Sequence, residues 1–164
     1  MSGQNATIIR ERLAAWLASK GMGQLRFGED DRCVVSDDHG QECLLWQPQG
    51  STVLHVFLHL QSLDGQHDMD VLVFAMALNL DPGRVGELVL GYNPESQQLL
   101  ASIRLDLAVL SFDQLDERIE SILLQASRLR DELDAFRLHR QTGQGRKPNT
   151  AAPLSLSQRS SLGL

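Results

Sequence analysis

The chain has 164 residues, a net charge of -6 and a pI near 5.3, with 42% hydrophobic and 22% charged residues. That is enough for one domain with a real core, able to bury roughly two-thirds of its unfolded surface. The acidic balance argues against a nucleic-acid binder, which needs a basic patch to displace counterions, and no run of about 20 apolar residues is present to span a membrane.

Residues 5–20 predict an amphipathic helix. Ile9, Leu13, Trp16, Leu17 and Lys20 recur at a spacing of three to four, with Arg10, Glu11 and Arg12 turned outward. Asn5 or Thr7 is the expected N-cap and Gly21-Met22-Gly23 the stop. The charged triplet interrupts the one apolar stretch near the start, which does not read as a secretory leader, so a cytoplasmic location is expected.

Residues 24–60 read as a meander of antiparallel strands: Leu25–Phe27, Cys33–Ser36, Glu42–Trp46 and Thr52–Leu60, separated by turn-forming clusters. In the last run Leu54, Val56, Leu58 and Leu60 share one face, and Val53, His55, Phe57 and His59 the other. Apolar residues on both faces predict a central strand. A turn at Asp37-Asp38-His39-Gly40 would set Cys33 opposite Leu44 and Cys43 opposite Val34. The two thiols would then point to opposite faces and stay free.

A second helix is expected over residues 67–80, with Asp68 as N-cap, an almost all-round apolar surface, and a stop at Asp81-Pro82-Gly83. Glu87–Tyr92 and Gln98–Asp106 then read as a hairpin. The third helix opens with a capping box, Ser111 and Gln114. Behind it Phe112, Leu115, Ile119, Ile122, Ala126, Leu129, Leu133 and Phe136 form a heptad-like stripe, best satisfied by lying on a sheet and a neighbouring helix. From His139 the composition turns to Gly, Ser, Thr, Pro and Gln. The expected division is a folded domain over 1–138 and a disordered polar tail over 139–164.

The motifs of catalysis are missing. There is no G-x-S-x-G elbow, H-E-x-x-H or glycine-rich phosphate loop. His55 and His59, four apart on a strand, stand about 13 Å from each other, too far for one metal ion. The two cysteines lack C-x-x-C spacing. No cofactor and no metal are expected.

The order of elements is helix, three strands, helix, two strands, long helix. Within it, Ala77-Leu78-Asn79 closes the second helix and Gly86 with Leu88-Val89-Leu90-Gly91-Tyr92 forms a strand. Leu99-Leu100-Ala101 begins the next, and Leu105 and Leu107 lead into Phe112 and Leu115. Leu25-Arg26-Phe27 followed by Cys33-Val34-Val35 adds to the pattern. Over residues 5–138 this resembles the class I type III secretion chaperones of Gram-negative bacteria, the Tir-chaperone family. The resemblance implies an α+β fold with an antiparallel twisted sheet flanked by helices, assembled as a homodimer in the bacterial cytoplasm. It implies no enzymatic activity. The partner would be the N-terminal region of one or more secreted effectors, kept soluble and secretion-competent, with the secretion ATPase as a further contact.

On that reading Leu72, Met76, Leu88 and Leu90 are the dimer candidates. Leu13, Trp16, Leu25, Phe27, Val34, Leu44 and Trp46 are the effector-binding candidates, each also a reasonable core residue. Two other readings stay open: a regulatory protein-interaction module of similar fold unconnected with secretion, and a small enzyme whose site carries no motif.

Overall fold

The computed structural model describes residues 2–22, 27–36 and 40–143. The elements are α1 (Ser2–Ser19), β1 (Arg32–Ser36), β2 (Glu42–Trp46), β3 (Val53–Ser62), α2 (Met69–Leu78), α3 (Pro82–Val85), β4 (Val89–Asn93), β5 (Gln98–Asp106) and α4 (Phe112–Gly143). The expected α+β order is found with one addition. Asp81-Pro82-Gly83 ends α2 and also starts α3, because the Asp81 carboxylate accepts from the Gly83 N–H at 3.1 Å and proline suits a first helical turn.

The five strands form one antiparallel sheet in the order β1-β2-β3-β5-β4, with β3 at its centre as its two-sided apolar pattern predicts. One face is covered by the helices. Leu54, Val56, Leu58 and Leu60 of β3 lie there, with Leu90, Ala101, Ile103 and Leu105. Leu13 and Leu17 of α1, Val71 and Ala75 of α2, and Leu129 and Leu133 of α4 complete that core. Between His59 and Gln61 the register slips, so Leu60 and Gln61 are both buried. The His59 carbonyl at this bulge accepts from Arg130 Nε and Nη2 at 2.9 and 2.7 Å, and Gln61 bonds Asp134, which ties α4 to β3.

The expected stripe on α4 is buried at Leu115, Ile122, Ala126, Leu129 and Leu133 and half-buried at Ile119 and Phe136, whereas Phe112, in the first turn, is exposed; the capping box closes as expected. The Ser111 N–H donates to Gln114 Oε1 at 2.9 Å and the Gln114 N–H to Ser111 Oγ at 3.2 Å. The helix carries on through His139–Gly143, which composition assigns to the tail. Residues 144–164, and with them most of the expected disordered tail, lie outside the described residues.

Three local expectations are corrected. First, α1 starts at Ser2, so Asn5 and Thr7 lie inside the helix rather than at its cap. Second, Arg10 is not simply solvated. Its guanidinium bonds Asp31 Oδ1 and the Gln47 carbonyl, both at 2.7 Å, which pins α1 to the ends of β1 and β2. Third, the first hairpin pairs Val34 with Leu44, Cys33 with Leu45 and Val35 with Cys43. Gln41 belongs to the loop, so the connection is one residue longer than the expected turn, and a one-residue slip moves side chains across the sheet. Both cysteines therefore face the core, where they are buried and free.

Candidate functional site

Among the described residues the titratable groups with shifted pKa values are few and lie apart. No group of three or more His, Cys, Asp or Glu is placed to hold a metal among the described residues. The perturbed titrations are scattered. Burial, and then the neighbouring Cys33, pushes the Cys43 thiol up to about 12, and burial also raises Cys33. Both are stabilised as inert thiols. Asp64 is held low by the Gln66 N–H and by His67, and His67 is raised by Asp64, but the pair is fully exposed in a loop.

Surfaces, in contrast, are plentiful. No helix among the described residues covers the other face of the sheet. Cross-strand pairing sets Val34, Leu44, Phe57, Ser102 and Val89 in one row across all five strands. Val34 is 51% exposed and Val89 59% exposed, at the two ends of the row. A second row beside it runs Arg32, Trp46, His55, Arg104. Here the Trp46 and His55 rings lie 4.9 Å apart, Phe57 follows at 6.3 Å, and the Arg32 guanidinium sits over Trp46 at 5.8 Å. Partial burial, and then Arg104, lower the pKa of His55. The patch is thus apolar, aromatic and neutral at its centre, with arginines at its rim.

A groove of about 320 Å³ lies on the other side, between α1, the first hairpin and α4. Trp16, Val35, Cys43, Leu45, Ile119 and Leu123 line it. Lys20 and Asp116, both on its wall, are joined by a 2.5 Å ion pair. Trp16 Nε1 is buried there without a hydrogen-bond partner among the described residues.

The third surface is the outer side of α2. Met69 and Val73 are exposed and Leu72 and Met76 half-buried. The rest of this helix is fixed from within the protomer. Phe74 stacks on Phe136 at 4.2 Å, with Arg84 and Arg140 covering the outer ring faces at 5.5 and 5.6 Å. Arg137 pairs with Asp68 at 2.8 Å and Arg140 with Asp70 at 3.4 Å.

The residues expected from sequence are distributed over these surfaces rather than gathered into one. Val34, Leu44 and Trp46 share the open face. Trp16 lines the groove, whereas Leu13, one turn earlier, is wholly buried in the core. Phe27 is half-buried under Arg10, 5.2 Å from its guanidinium. Leu25 lies outside the described residues. Of the dimer candidates, Leu72 and Met76 reach the surface. Leu88 and Leu90 are buried in the core of the protomer. Their neighbour Val89, on the alternate face of the same strand, is the one exposed. Sequence reasoning did not single out Phe57, Val73 or Val89; the two-sided pattern of β3 was the available signal for Phe57.

The family model for the Tir chaperone protein (CesT) family matches residues 13–130. The chain belongs to this family. The matched stretch contains all five strands, α2, α3, the C-terminal part of α1 and the first part of α4, so the surfaces above lie largely within it. Solved structures of similar fold agree. The HopA1–SchA chaperone–effector complex aligns over 78% of this chain and 97% of the other, at 17% identity and a TM-score of 0.59. The ExsC–ExsE complex aligns over 78% and 95%, at 14% identity and a TM-score of 0.60. The Yersinia pestis type III secretion chaperone SycH, in complex with a stable fragment of YscM2, aligns over 73% and 97%, at 18% identity and a TM-score of 0.52. No curated protein matches by sequence. Among the described residues no helix is long and apolar enough to cross a membrane.

Proposed function

We propose that this chain is a cytoplasmic type III secretion chaperone. It binds the N-terminal region of one or more effectors and keeps that region soluble and competent for secretion. It performs no catalysis and takes no cofactor. Family membership supports the class, and two structures of similar fold, a chaperone–effector complex and a chaperone bound to a protein fragment, support a protein partner. The observation that carries the reading is the apolar row on the open face of the sheet. Val34, Leu44, Phe57 and Val89 are kept at the surface although the core is already complete without them.

The surfaces divide the work. Val34, Leu44, Trp46 and Phe57, together with the groove at Trp16, suit side chains of an effector segment, with backbone hydrogen bonds added at a sheet edge. Met69, Leu72, Val73 and Met76 of α2 suit a second copy of the chain. A homodimer would cover the apolar side of α2, which a lone protomer leaves wet. The acidic net charge suits a basic effector segment. Contact with the secretion ATPase belongs to the same proposal.

The test is co-expression with the N-terminal fragment of a secreted protein encoded beside the gene, followed by affinity purification and light scattering. A complex of two chaperone chains with the fragment is expected. A monomer that retains no fragment from any secreted protein of the same bacterium would overturn the reading.

A further inference from the structure

Helix α2 presents three stripes to three surroundings. Val71, Ala75 and Leu78 are buried in the core. Met69, Leu72, Val73 and Met76 form the outer side. Asp70 and Phe74, four residues apart, turn toward α4. A helix of ten residues is marginal alone in water, so what packs against α2 decides where its outer side points.

The α4 side is a closed stack of four groups from three helices. The Phe74 and Phe136 rings lie 4.2 Å apart and parallel within 3°. The Arg84 guanidinium of α3 sits 5.5 Å from the Phe74 ring centre, and that of Arg140 sits 5.6 Å from the Phe136 ring centre. Aromatic faces carry negative charge density, so a cation on each outer face favours the ring pair between them. Each cation is in turn held by a carboxylate of a facing helix. Arg84 pairs with Glu132 of α4, and Arg140 with Asp70 of α2 at 3.4 Å. Arg137 reaches Asp68, at the start of α2, at 2.8 Å, and donates to the Ser62 carbonyl at the end of β3 at 3.3 Å. Glu132, Phe136, Arg137 and Arg140 all lie beyond residue 130, where the match to the family model ends.

We propose that Glu132, Phe136, Arg137 and Arg140 are positioning residues for self-association. They hold α2 by its inner side, so that Met69, Leu72, Val73 and Met76 meet a second copy in one geometry, and they do so without touching that copy. This rests on the reading of the outer side of α2 as the surface for a second copy, and it adds which residues of the protomer set the affinity.

The experiment uses the full-length chain and reads two quantities: the dimer dissociation constant by sedimentation equilibrium, and amide hydrogen exchange in α2 and β3. Phe136→Ala should raise the dissociation constant about tenfold, the change in affinity that corresponds to loss of one aromatic pair. Exchange at Leu72, Val73 and Met76 should quicken with it, while Val56 and Leu58 of β3 stay protected. Phe136→Tyr keeps the ring and should restore both. Arg140→Gln, at an exposed position, removes one cation of the stack and should shift both quantities the same way by roughly two- to fivefold; it carries the test if the alanine variant does not fold.

A dimer whose dissociation constant is unchanged in both Phe136→Ala and Arg140→Gln overturns the positioning role and leaves the α2 interface standing. Weaker association with α2 exchange unchanged would make these residues direct contacts, and overturns positioning as well. A wild type that stays monomeric at every concentration overturns the α2 interface itself, and the positioning role with it.

Discussion

The two faces of β3 both carry apolar residues, one wholly aliphatic and the other alternating with histidine, and they have different fates in the fold. Leu54, Val56 and Leu58 are completely buried beneath the helices, whereas Val53, His55, Phe57 and His59 remain half-exposed on the open face. The first set is committed to stability. The second has no further intramolecular use, so its apolar character is available for a partner. Substitutions on the covered face should therefore act on folding, and substitutions on the open face on binding.

The largest effect belongs to the covered face. Leu129→Asp would place an unpaired carboxylate where the side chain is 1% exposed, and a cost of about 4 kcal/mol or more is expected. Loss of the cooperative thermal transition would show it; an unchanged transition would break the assignment of that face. Leu133→Ala, also fully buried, should cost about 2–5 kcal/mol by denaturant unfolding.

A capping change gives a smaller effect that touches neither face. Ser111→Ala removes the bond to the Gln114 N–H and should cost about 1 kcal/mol. That corresponds to a fall in Tm of about 2–4 °C for a domain of this size. Effector binding should be unaffected, which separates general stability from the binding face.

The pH response sharpens the contrast further. The pKa of folded His55 is lowered, first by burial and then by Arg104, so its neutral form is favoured and its charging opposes the folded state. Stability from this group is present above the ordinary histidine pKa and is lost as pH falls through it. A partner covering the open face would bury His55 further. Effector affinity is expected to weaken between about pH 7.5 and 5.5, and His55→Gln to flatten that response in a binding titration. His67 acts in the opposite sense. Its raised pKa makes the Asp64 pair favourable at low pH and lost as pH rises, and its full exposure keeps that contribution small.

The smallest effect is chemical. Cys33 and Cys43 lie on the covered face with raised pKa values, and a thiol reagent should leave both unmodified in the native protein and label both after denaturation. Rapid native labelling would place the first hairpin in the other register.

Much of this was legible in the sequence because it is local. The α4 stripe, its capping box, the Gln98–Asp106 strand and the central place of β3 follow from periodicity and turn chemistry. The first hairpin was misplaced because one loop residue, Gln41, fixes the register, and neither loop length nor register is set by local pattern. The candidate surfaces were half legible for a related reason. Leu88 and Leu90 read as interface because they are apolar and close to α2, but alternation sends them inward and Val89 outward once β4 pairs with β5. The pairing of Phe74 with Phe136 could not be read at all, since it joins two elements whose contact is set by packing.

The most direct measurement is made on one variant, Val34→Asp. Its denaturation midpoint and its retention of a co-expressed effector fragment are taken together. The side chain is 51% exposed, so stability should shift by no more than about 0.5 kcal/mol. A native-like midpoint with the fragment lost is the result predicted for an open face that serves binding. A native-like midpoint with the fragment fully retained would contradict it.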